Sequence, residues 1–291
     1  MDLFFQPEPV AWVQRAIGLG HPTPFRILSE LGITWGTVLG ASLALWLFGR
    51  RVLYALLTLM VAEAVVKKAI SASLGVQRPS AGPIVKYEQS AAAAFPSGHV
   101  TTATTIWTYL GGATRFPLLL GIVLALAVAV ARLYLGVHYV ADVLGGLALG
   151  GFLAWTWVRV GGRVVDRLES WAWKVWLGLT AAGLAGVVAA FFFYVGQNRS
   201  RWNTVAMIAG LLVALPLEWR FVGHRPPKSR RDRIRVLLVG GTGLLLPFVG
   251  DMLMRDGPRA FGAAMVLVAT LWGLLLAPAL FSSLGWCAAD R

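Results

Sequence analysis

Two histidines, an aspartate and two arginines stand where hydrophobic stretches of this chain begin or end. The third stretch opens with Pro-Ser-Gly-His at 96–99, and the fifth opens with His138 and Asp142. Arg78 follows the second stretch, and Arg132 ends the fourth. If the stretches are helices that alternate in direction, all four places lie at one end of the bundle. Because polar residues in apolar surroundings are costly and usually functional, we expect them to form one site.

The residue types at this end favour a phosphate ligand. Arginine and lysine suit phosphate oxygens, and Ser97-Gly98 opens a helix, where backbone N–H groups and the dipole attract anions. His138 and Asp142 are four residues apart, so the carboxylate can orient the imidazole and stabilise its cation. An oriented histidine can attack phosphorus, and His99 can protonate the leaving oxygen. The sequence has no carboxylate cluster typical of Mg²⁺ sites, so we predict metal-independent chemistry without a cofactor.

The composition indicates an integral membrane protein. Hydrophobic residues make up 57% of the 291 residues and charged residues 13%, against roughly 25% charged in a soluble domain. The mean hydropathy is +0.70. These values exclude a water-soluble globular protein and a disordered chain. A single cysteine, Cys287, excludes a disulfide framework.

A formal net charge of +13 is best explained by cytoplasmic loops and acidic lipid headgroups, without nucleic acid as a partner. The basic run at 224–233 is interpreted in the same way.

Nine stretches are long and apolar enough to predict membrane-spanning helices. They are Leu31–Phe48, Val52–Ile70, Gly98–Ala113, Pro117–Gly136, His138–Val158, Trp171–Val195, Asn203–Phe221, Val236–Met252 and Ala260–Phe281. The predicted fold is an all-α, polytopic membrane helix bundle.

With nine alternating helices, 15 of the 26 basic residues fall on one face. The positive-inside bias then places that face in the cytoplasm, and the polar site on the extracytoplasmic side of the plasma membrane. The first 30 residues are too mixed in character to cross, so we expect them to lie at the interface.

The motifs around this site resemble those of the type 2 phosphatidic acid phosphatase superfamily, which includes vanadium haloperoxidases. Pro96-Ser97-Gly98-His99 and Arg132-x5-His138-x3-Asp142 resemble its second and third motifs, and Arg78-Pro79 the end of its first. The resemblance covers about residues 50–160. It implies a six-helix phosphatase core at 31–197, followed by a C-terminal extension at 198–291 with about three transmembrane helices and no assigned role.

By this resemblance His138 is the nucleophile, Asp142 its partner and His99 the general acid. The phosphate ligands it implies are Lys68, Arg78, Ser97, Gly98 and Arg132.

The first motif, Lys-x6-Arg-Pro, is incomplete in this chain. Position 71, where the family has its lysine, is Ser71, and the nearest lysines are Lys68 and Lys67. Lys68 is assigned the role, and Lys67 stays open as the alternative. Glu63 lies one helical turn before Lys67, and a local ion pair between them is expected. The serine that usually precedes the third-motif arginine is Ala131.

The resulting functional hypothesis is a lipid phosphatase that cleaves a phosphomonoester or diphosphate through a phosphohistidine. Undecaprenyl diphosphate, phosphatidic acid and phosphatidylglycerol phosphate are the substrates that the resemblance suggests. Two alternatives stay open: a lipid phosphotransferase using the same residues, and a transporter or scaffold that retains a relic of the site. A haloperoxidase is disfavoured by the lipid-facing setting.

Overall fold

Twelve helices account for most of the described chain in the computed structural model. The structure describes residues 5–79, 82–88, 93–170, 173–193, 196 and 198–288, with the backbone alone for residues 173–177. The helices are α1 Glu8–Ile17, α2 Pro22–Glu30, α3 Thr34–Leu43, α4 Arg50–Leu74, α5 Gly98–Ala113, α6 Leu118–Tyr134, α7 Val140–Glu169, α8 Trp173–Phe193, α9 Arg199–Leu217, α10 Arg230–Leu253, α11 Arg259–Leu271 and α12 Ala277–Ser283. Segments Ala44–Phe48, Glu218–Val222 and Trp272–Leu276 continue α3, α9 and α11 as π-helix.

The all-α prediction is confirmed, and each of the nine predicted stretches contains a described helix. Trp171 and Val195, the ends of the sixth stretch, lie outside the described residues. The largest difference is at α7, which continues to Glu169 instead of ending near Val158. Charged residues are frequent between 159 and 169, so a hydropathy criterion ends the predicted span before the helix itself ends.

Four described helices are long and apolar enough to cross a membrane: Val140–Glu169, Arg199–Val222, Arg230–Leu253 and Arg259–Ser283. The pair Pro22–Glu30 and Thr34–Phe48, bent by 49°, makes a fifth if it is one span. The remaining predicted spans lie on helices with ordinary reasons to miss that test. For example, α4 carries Glu63, Lys67 and Lys68, and α5 has only 16 residues. The described chain is therefore a multi-pass helical bundle, and among α4, α5, α6 and α7, whose ends carry the predicted site, α7 alone passes the test.

Helix ends follow local sequence signals. Pro117 and Pro258 directly precede α6 and α11, and a proline near a helix start costs no intrahelical hydrogen bond. Ser229 caps α10 by accepting a hydrogen bond from the backbone N–H of Asp232, and Asn198 caps α9 in the same way. Gly75, with φ +57°, follows α4 in the left-handed region that favours glycine.

The chain divides into two compact units. The first comprises Met1–Thr37 and Ala55–Gly162, and the second comprises Val38–Tyr54 and Arg163–Arg291. All of the predicted site residues belong to the first unit. The boundaries predicted near residues 30 and 197 stay predictions.

In the first unit, α5 and α7 approach closely along two glycines of α7. A Cβ atom on Gly150 would stand 2.6 Å from the Thr101 carbonyl oxygen and 2.8 Å from the Thr104 Cβ. One on Gly146 would stand 3.1 Å from the Ser97 carbonyl oxygen. Small residues four apart allow this backbone contact between membrane helices. The two glycines thus bring the start of α7 against the start of α5.

The N-terminal helix α1 is fastened to the same unit by Gln14. Its side-chain amide donates to the carbonyls of Val85 (2.7 Å) and Tyr134 (2.8 Å) and accepts from the Val85 N–H (3.0 Å). Val10 and Ala11 pack against Ile84 beside it. The loop at 82–88 is therefore held between α1 and the end of α6.

The second unit is centred on Trp46, which is fully buried. Its indole N–H donates to the Gly273 carbonyl at 2.6 Å, and its ring meets Phe281 edge-on with centroids 5.7 Å apart. Gly240 makes room for the indole, since a Cβ atom there would stand 2.6 Å from the ring. A hydrogen-bonded aromatic core thus joins two of the π-helical segments.

Substituting Gly150 by alanine should destabilise the protein, because the added methyl group forces α7 away from α5. Overpacking of this kind costs about 1–3 kcal/mol. The matched control is Gly151→Ala on the same helix, where a Cβ atom would have no neighbour within 4 Å. Thermal unfolding in detergent, followed by tryptophan fluorescence, should show a lower Tm for Gly150→Ala and an unchanged or higher Tm for Gly151→Ala. Equal Tm values for the two variants would contradict the packing described.

Substituting Gln14 by alanine should loosen the loop at 82–88, because three backbone groups lose their partner. Each lost hydrogen bond contributes about 0.5–1.5 kcal/mol. The expected result is a lower Tm and faster proteolytic cleavage between residues 82 and 88, measured by mass spectrometry. The exposed Gln6→Ala is the matched control, and cleavage at the same rate in both variants would show that Gln14 does not hold the loop.

Candidate active site

The first turn of α7 and the start of α5 are joined by a backbone hydrogen bond. The Ser97 N–H donates to the Asp142 carbonyl oxygen at 2.9 Å. Ser97 and Asp142 are fully buried. The second and third sequence motifs, which are far apart in the chain, are therefore adjacent, as the helix-end argument predicts.

His138 and Asp142 form a buried pair. The His138 Nδ1 lies 3.3 Å from Asp142 Oδ2, and the same carboxylate oxygen accepts a hydrogen bond from the Tyr139 N–H at 2.8 Å. Asp142 thus both caps the start of α7 and holds the imidazole. With the proton on Nδ1, the lone pair of Nε2 faces away from Asp142, which is the geometry of an oriented nucleophile.

Arg78 lies on the Nε2 side of the His138 ring, opposite Asp142. Its Nη1 donates to the Val137 carbonyl at 2.8 Å and lies 3.2 Å from His138 Nε2. Burial, and then the nearby charge of Arg132, lowers the pKa of the Arg78 guanidinium to about 10. The group therefore remains a cation at neutral pH, directly beside the nitrogen that would attack phosphorus.

Arg132 is buried at the end of α6 and held by two side chains that the motifs do not contain. Its Nη1 lies 2.8 Å from Ser29 Oγ and 2.9 Å from Glu88 Oε2. A buried guanidinium requires such partners, since an uncompensated charge would be expensive. Neither Ser29 nor Glu88 belongs to a recognisable motif, so the sequence alone does not identify them as partners of Arg132.

The start of α5 carries polar groups of the site that have no partner among the described residues. The Ser97 hydroxyl is buried without a hydrogen-bond partner among the described residues. Gly98 offers no side chain in front of the first helical N–H groups. His99 is half-buried and close enough to His138, Arg78 and Arg132 to interact electrostatically with each. A partnerless hydroxyl beside free N–H groups and cations is suited to an anion.

The turn between α6 and α7 requires Gly136. Its φ of +70° lies in the left-handed region, and a Cβ atom there would collide with the carbonyl of Val85. The Tyr87 N–H donates to the Leu135 carbonyl at 3.1 Å in the same place. The loop at 82–88 thus packs against the turn between α6 and α7, which orients His138.

The two candidate lysines occupy different surroundings. Lys68 is exposed on α4, whereas the Lys67 ammonium lies 2.8 Å from Glu63 Oε1, the local ion pair expected from the sequence. Ser71, at the family's lysine position, donates its hydroxyl to the Phe95 carbonyl at 2.8 Å. The assignment of Lys68 as a phosphate ligand stays a prediction.

In the described part of the chain, no group of three or more histidine, cysteine, aspartate or glutamate side chains is arranged to hold a metal ion.

Comparison with known proteins yields one family. The model of the PAP2 superfamily matches residues 48–166, which include every predicted site residue. Over 97 residues the chain is 38% identical to human sphingosine-1-phosphate phosphatase 2, covering 28% of this chain and 24% of that protein. Over 87 residues it is 39% identical to decaprenylphosphoryl-5-phosphoribose phosphatase of Mycobacterium tuberculosis, covering 30% of this chain and 48% of that protein. These two matches therefore span a quarter to a half of the relatives' lengths.

A longer match extends the likeness over most of a relative. The chain is 31% identical over 146 residues to an Escherichia coli protein named putative undecaprenyl-diphosphatase YbjG, covering 45% of this chain and 71% of that protein. No solved structure matches significantly. Since the matched region carries the paired histidines, the aspartate and the arginines described above, the chain belongs to the PAP2 superfamily, the type 2 phosphatidic acid phosphatases.

Proposed function

We propose that the protein is a membrane lipid phosphatase that removes phosphate through a phosphohistidine on His138, without a metal ion. The observation that carries the proposal is the buried His138–Asp142 pair. Arg78 lies at the second ring nitrogen of His138, and the start of α5, with the partnerless Ser97 hydroxyl, lies beside the pair. Family membership and the phosphatase names of the relatives support the same reaction class.

The first step is an in-line displacement at phosphorus. His138 Nε2 forms a bond to phosphorus while the bond to the lipid oxygen breaks, and protonated His99 gives its proton to that oxygen. Asp142 stabilises the imidazolium through the Nδ1–H. Arg78, Arg132, the Ser97 hydroxyl and the Gly98 N–H hold the three equatorial oxygens, where charge is spread in the transition state.

The second step returns the enzyme to its starting state. A water molecule attacks phosphorus, His99 takes one of its protons, and the phosphorus–nitrogen bond breaks to release inorganic phosphate. Arg78 Nη1 lies 3.2 Å from Nε2, so binding of phosphate must draw the guanidinium onto an oxygen and free the nucleophile. If a lipid hydroxyl replaced the water, the same residues would carry out phosphotransfer.

The substrate class follows from the chemistry that the site and the relatives share. The named relatives point to phosphate at the end of a sphingoid or polyprenyl lipid. A lipid tail entering between helices would place such a phosphate at the helix ends that carry the site. The ends of α4 and α6 and the starts of α5 and α7 are those helix ends, and the positive-inside rule assigns them to the extracytoplasmic side.

Substituting His138 by alanine should abolish phosphate release, because no other described group stands in position to attack. Purified protein in detergent, with EDTA present, would be assayed on a panel of polyprenyl, sphingoid and glycerolipid phosphates. We expect a loss of about three orders of magnitude or more in kcat. The exposed His21→Ala is the matched control. Activity that survives in His138→Ala would rule out the phosphohistidine, and a folded wild type inactive on the whole panel would rule out the phosphatase.

The general-acid role of His99 predicts a dependence on the leaving group. For an alkyl phosphate, His99→Ala should lose about 10²–10⁴ in kcat/KM, which reports the first step; that is the usual contribution of a general acid. For p-nitrophenyl phosphate the loss should be much smaller, because that leaving group departs without a proton. Equal losses on the two substrates would assign His99 to binding instead of proton transfer.

A further inference from the structure

A glutamate, a lysine and a threonine form a cluster at the edge of this site that the family motifs do not describe. The Lys67 ammonium lies 2.8 Å from Glu63 Oε1 and 3.3 Å from Thr102 Oγ1, and the Thr102 hydroxyl donates to Glu63 Oε1 at 3.1 Å. Glu63 is only 2% exposed, whereas the Lys67 side chain is 25% exposed. The lysine is therefore fixed at one end by a buried carboxylate and still accessible to a ligand.

The cluster lies against the anion-binding start of α5. A Cβ atom on Gly98 would stand 3.9 Å from Lys67 Nζ, so the ammonium flanks the first turn of that helix. Thr102 is one turn further along the same face. Lys67 is also close enough to His99 to interact with it electrostatically. These contacts place the amine beside the groups that would bind phosphate.

The hydrogen-bonding capacity of the lysine is not exhausted. An ammonium has three N–H donors, and the described partners, Glu63 and Thr102, take two of them. The third has no described partner. A phosphate oxygen can therefore accept from Lys67 without breaking its ion pair.

The register of α4 explains how position 67 can replace position 71. Residues four apart lie one above the other on a helix, so Glu63, Lys67 and Ser71 share one face. Ser71 contacts the Phe95 carbonyl on the approach to the second motif, which shows that this face points toward the site. Lys68 is rotated about 100° away and is exposed.

We propose that Lys67 is the lysine that binds the substrate phosphate, and that Glu63 and Thr102 are its positioning residues. This proposal rests on the proposed phosphatase function. It replaces the family's lysine by one a helical turn earlier, held in place by a carboxylate and a hydroxyl.

The first test compares the two lysines. Lys67→Gln should lower kcat/KM about 10- to 100-fold, the factor that corresponds to one charge-assisted hydrogen bond, and Lys67→Arg should recover part of it. Lys68→Gln should lower kcat/KM less than Lys67→Gln does, and the exposed Lys228→Gln control of the second unit should change it less than about twofold. A large loss in Lys68→Gln with none in Lys67→Gln would overturn the proposal.

The second test moves the lysine along the helix. In the double variant Lys67→Gln/Ser71→Lys, an amine on the same face one turn later should restore most of the lost kcat/KM. Glu63→Gln and Thr102→Val should raise KM while leaving Tm near that of the wild type. If Ser71→Lys gives no recovery, or if these two variants lose kcat/KM only in proportion to lost stability, the positioning role is wrong.

A binding measurement separates this proposal from the function on which it rests. Inorganic phosphate should raise the Tm of the wild type by an amount that depends on its affinity, and this shift should fall further in Lys67→Gln than in Lys68→Gln. The variant Glu63→Gln/Lys67→Gln, which buries no unpaired charge, serves if Lys67→Gln folds poorly. If the wild type cleaves no lipid phosphate, the phosphatase fails while the phosphate-induced shift still decides the lysine. If the phosphate-induced Tm shift is unchanged in both Lys67→Gln and Glu63→Gln/Lys67→Gln, the Lys67 assignment is overturned.

Discussion

The site depends on the close approach of α5 and α7. Gly146 and Gly150 let the two backbones meet, and the bond from the Ser97 N–H to the Asp142 carbonyl aligns their first turns. This one contact sets the start of α5, the proposed anion site, beside an oriented imidazole. Because the contact is made by backbone and glycine, it leaves the side chains of both helices free for chemistry.

Charge compensation is the second principle of the site. Two of its cations form ion pairs with carboxylates: Arg132 contacts Glu88, and Lys67 contacts Glu63. Each pairing reduces the cost of holding a cation away from water before a ligand arrives. The carboxylates differ in depth, since Glu63 is almost fully buried and Glu88 is 21% exposed. Glu88 therefore has more freedom than Glu63 to yield its partner to a phosphate.

The sequence was sufficient to place the helices and to bring the motif residues together, because hydropathy and motif spacing are strong signals. It did not indicate Ser29, Glu88 or Gln14, since a single hydrogen bond leaves no pattern in one sequence. It also left open which of Lys67 and Lys68 faces the site, because the spacing of the first motif does not fit either lysine. The division into two units was equally hidden: residues 38–54 cluster with 163–291, and hydropathy does not reveal which helices pack together.

The shared face of residues 63, 67 and 71 bears on how signature patterns in helical proteins are written. A pattern that counts intervening residues treats a lysine displaced by four positions as lost. On a helix, however, that displacement is a slide of one pitch, about 5.4 Å, which is within the reach of a long flexible side chain. Signatures expressed in helical turns would accept either placement, and would look for an acidic neighbour one turn earlier as the companion of the displaced form.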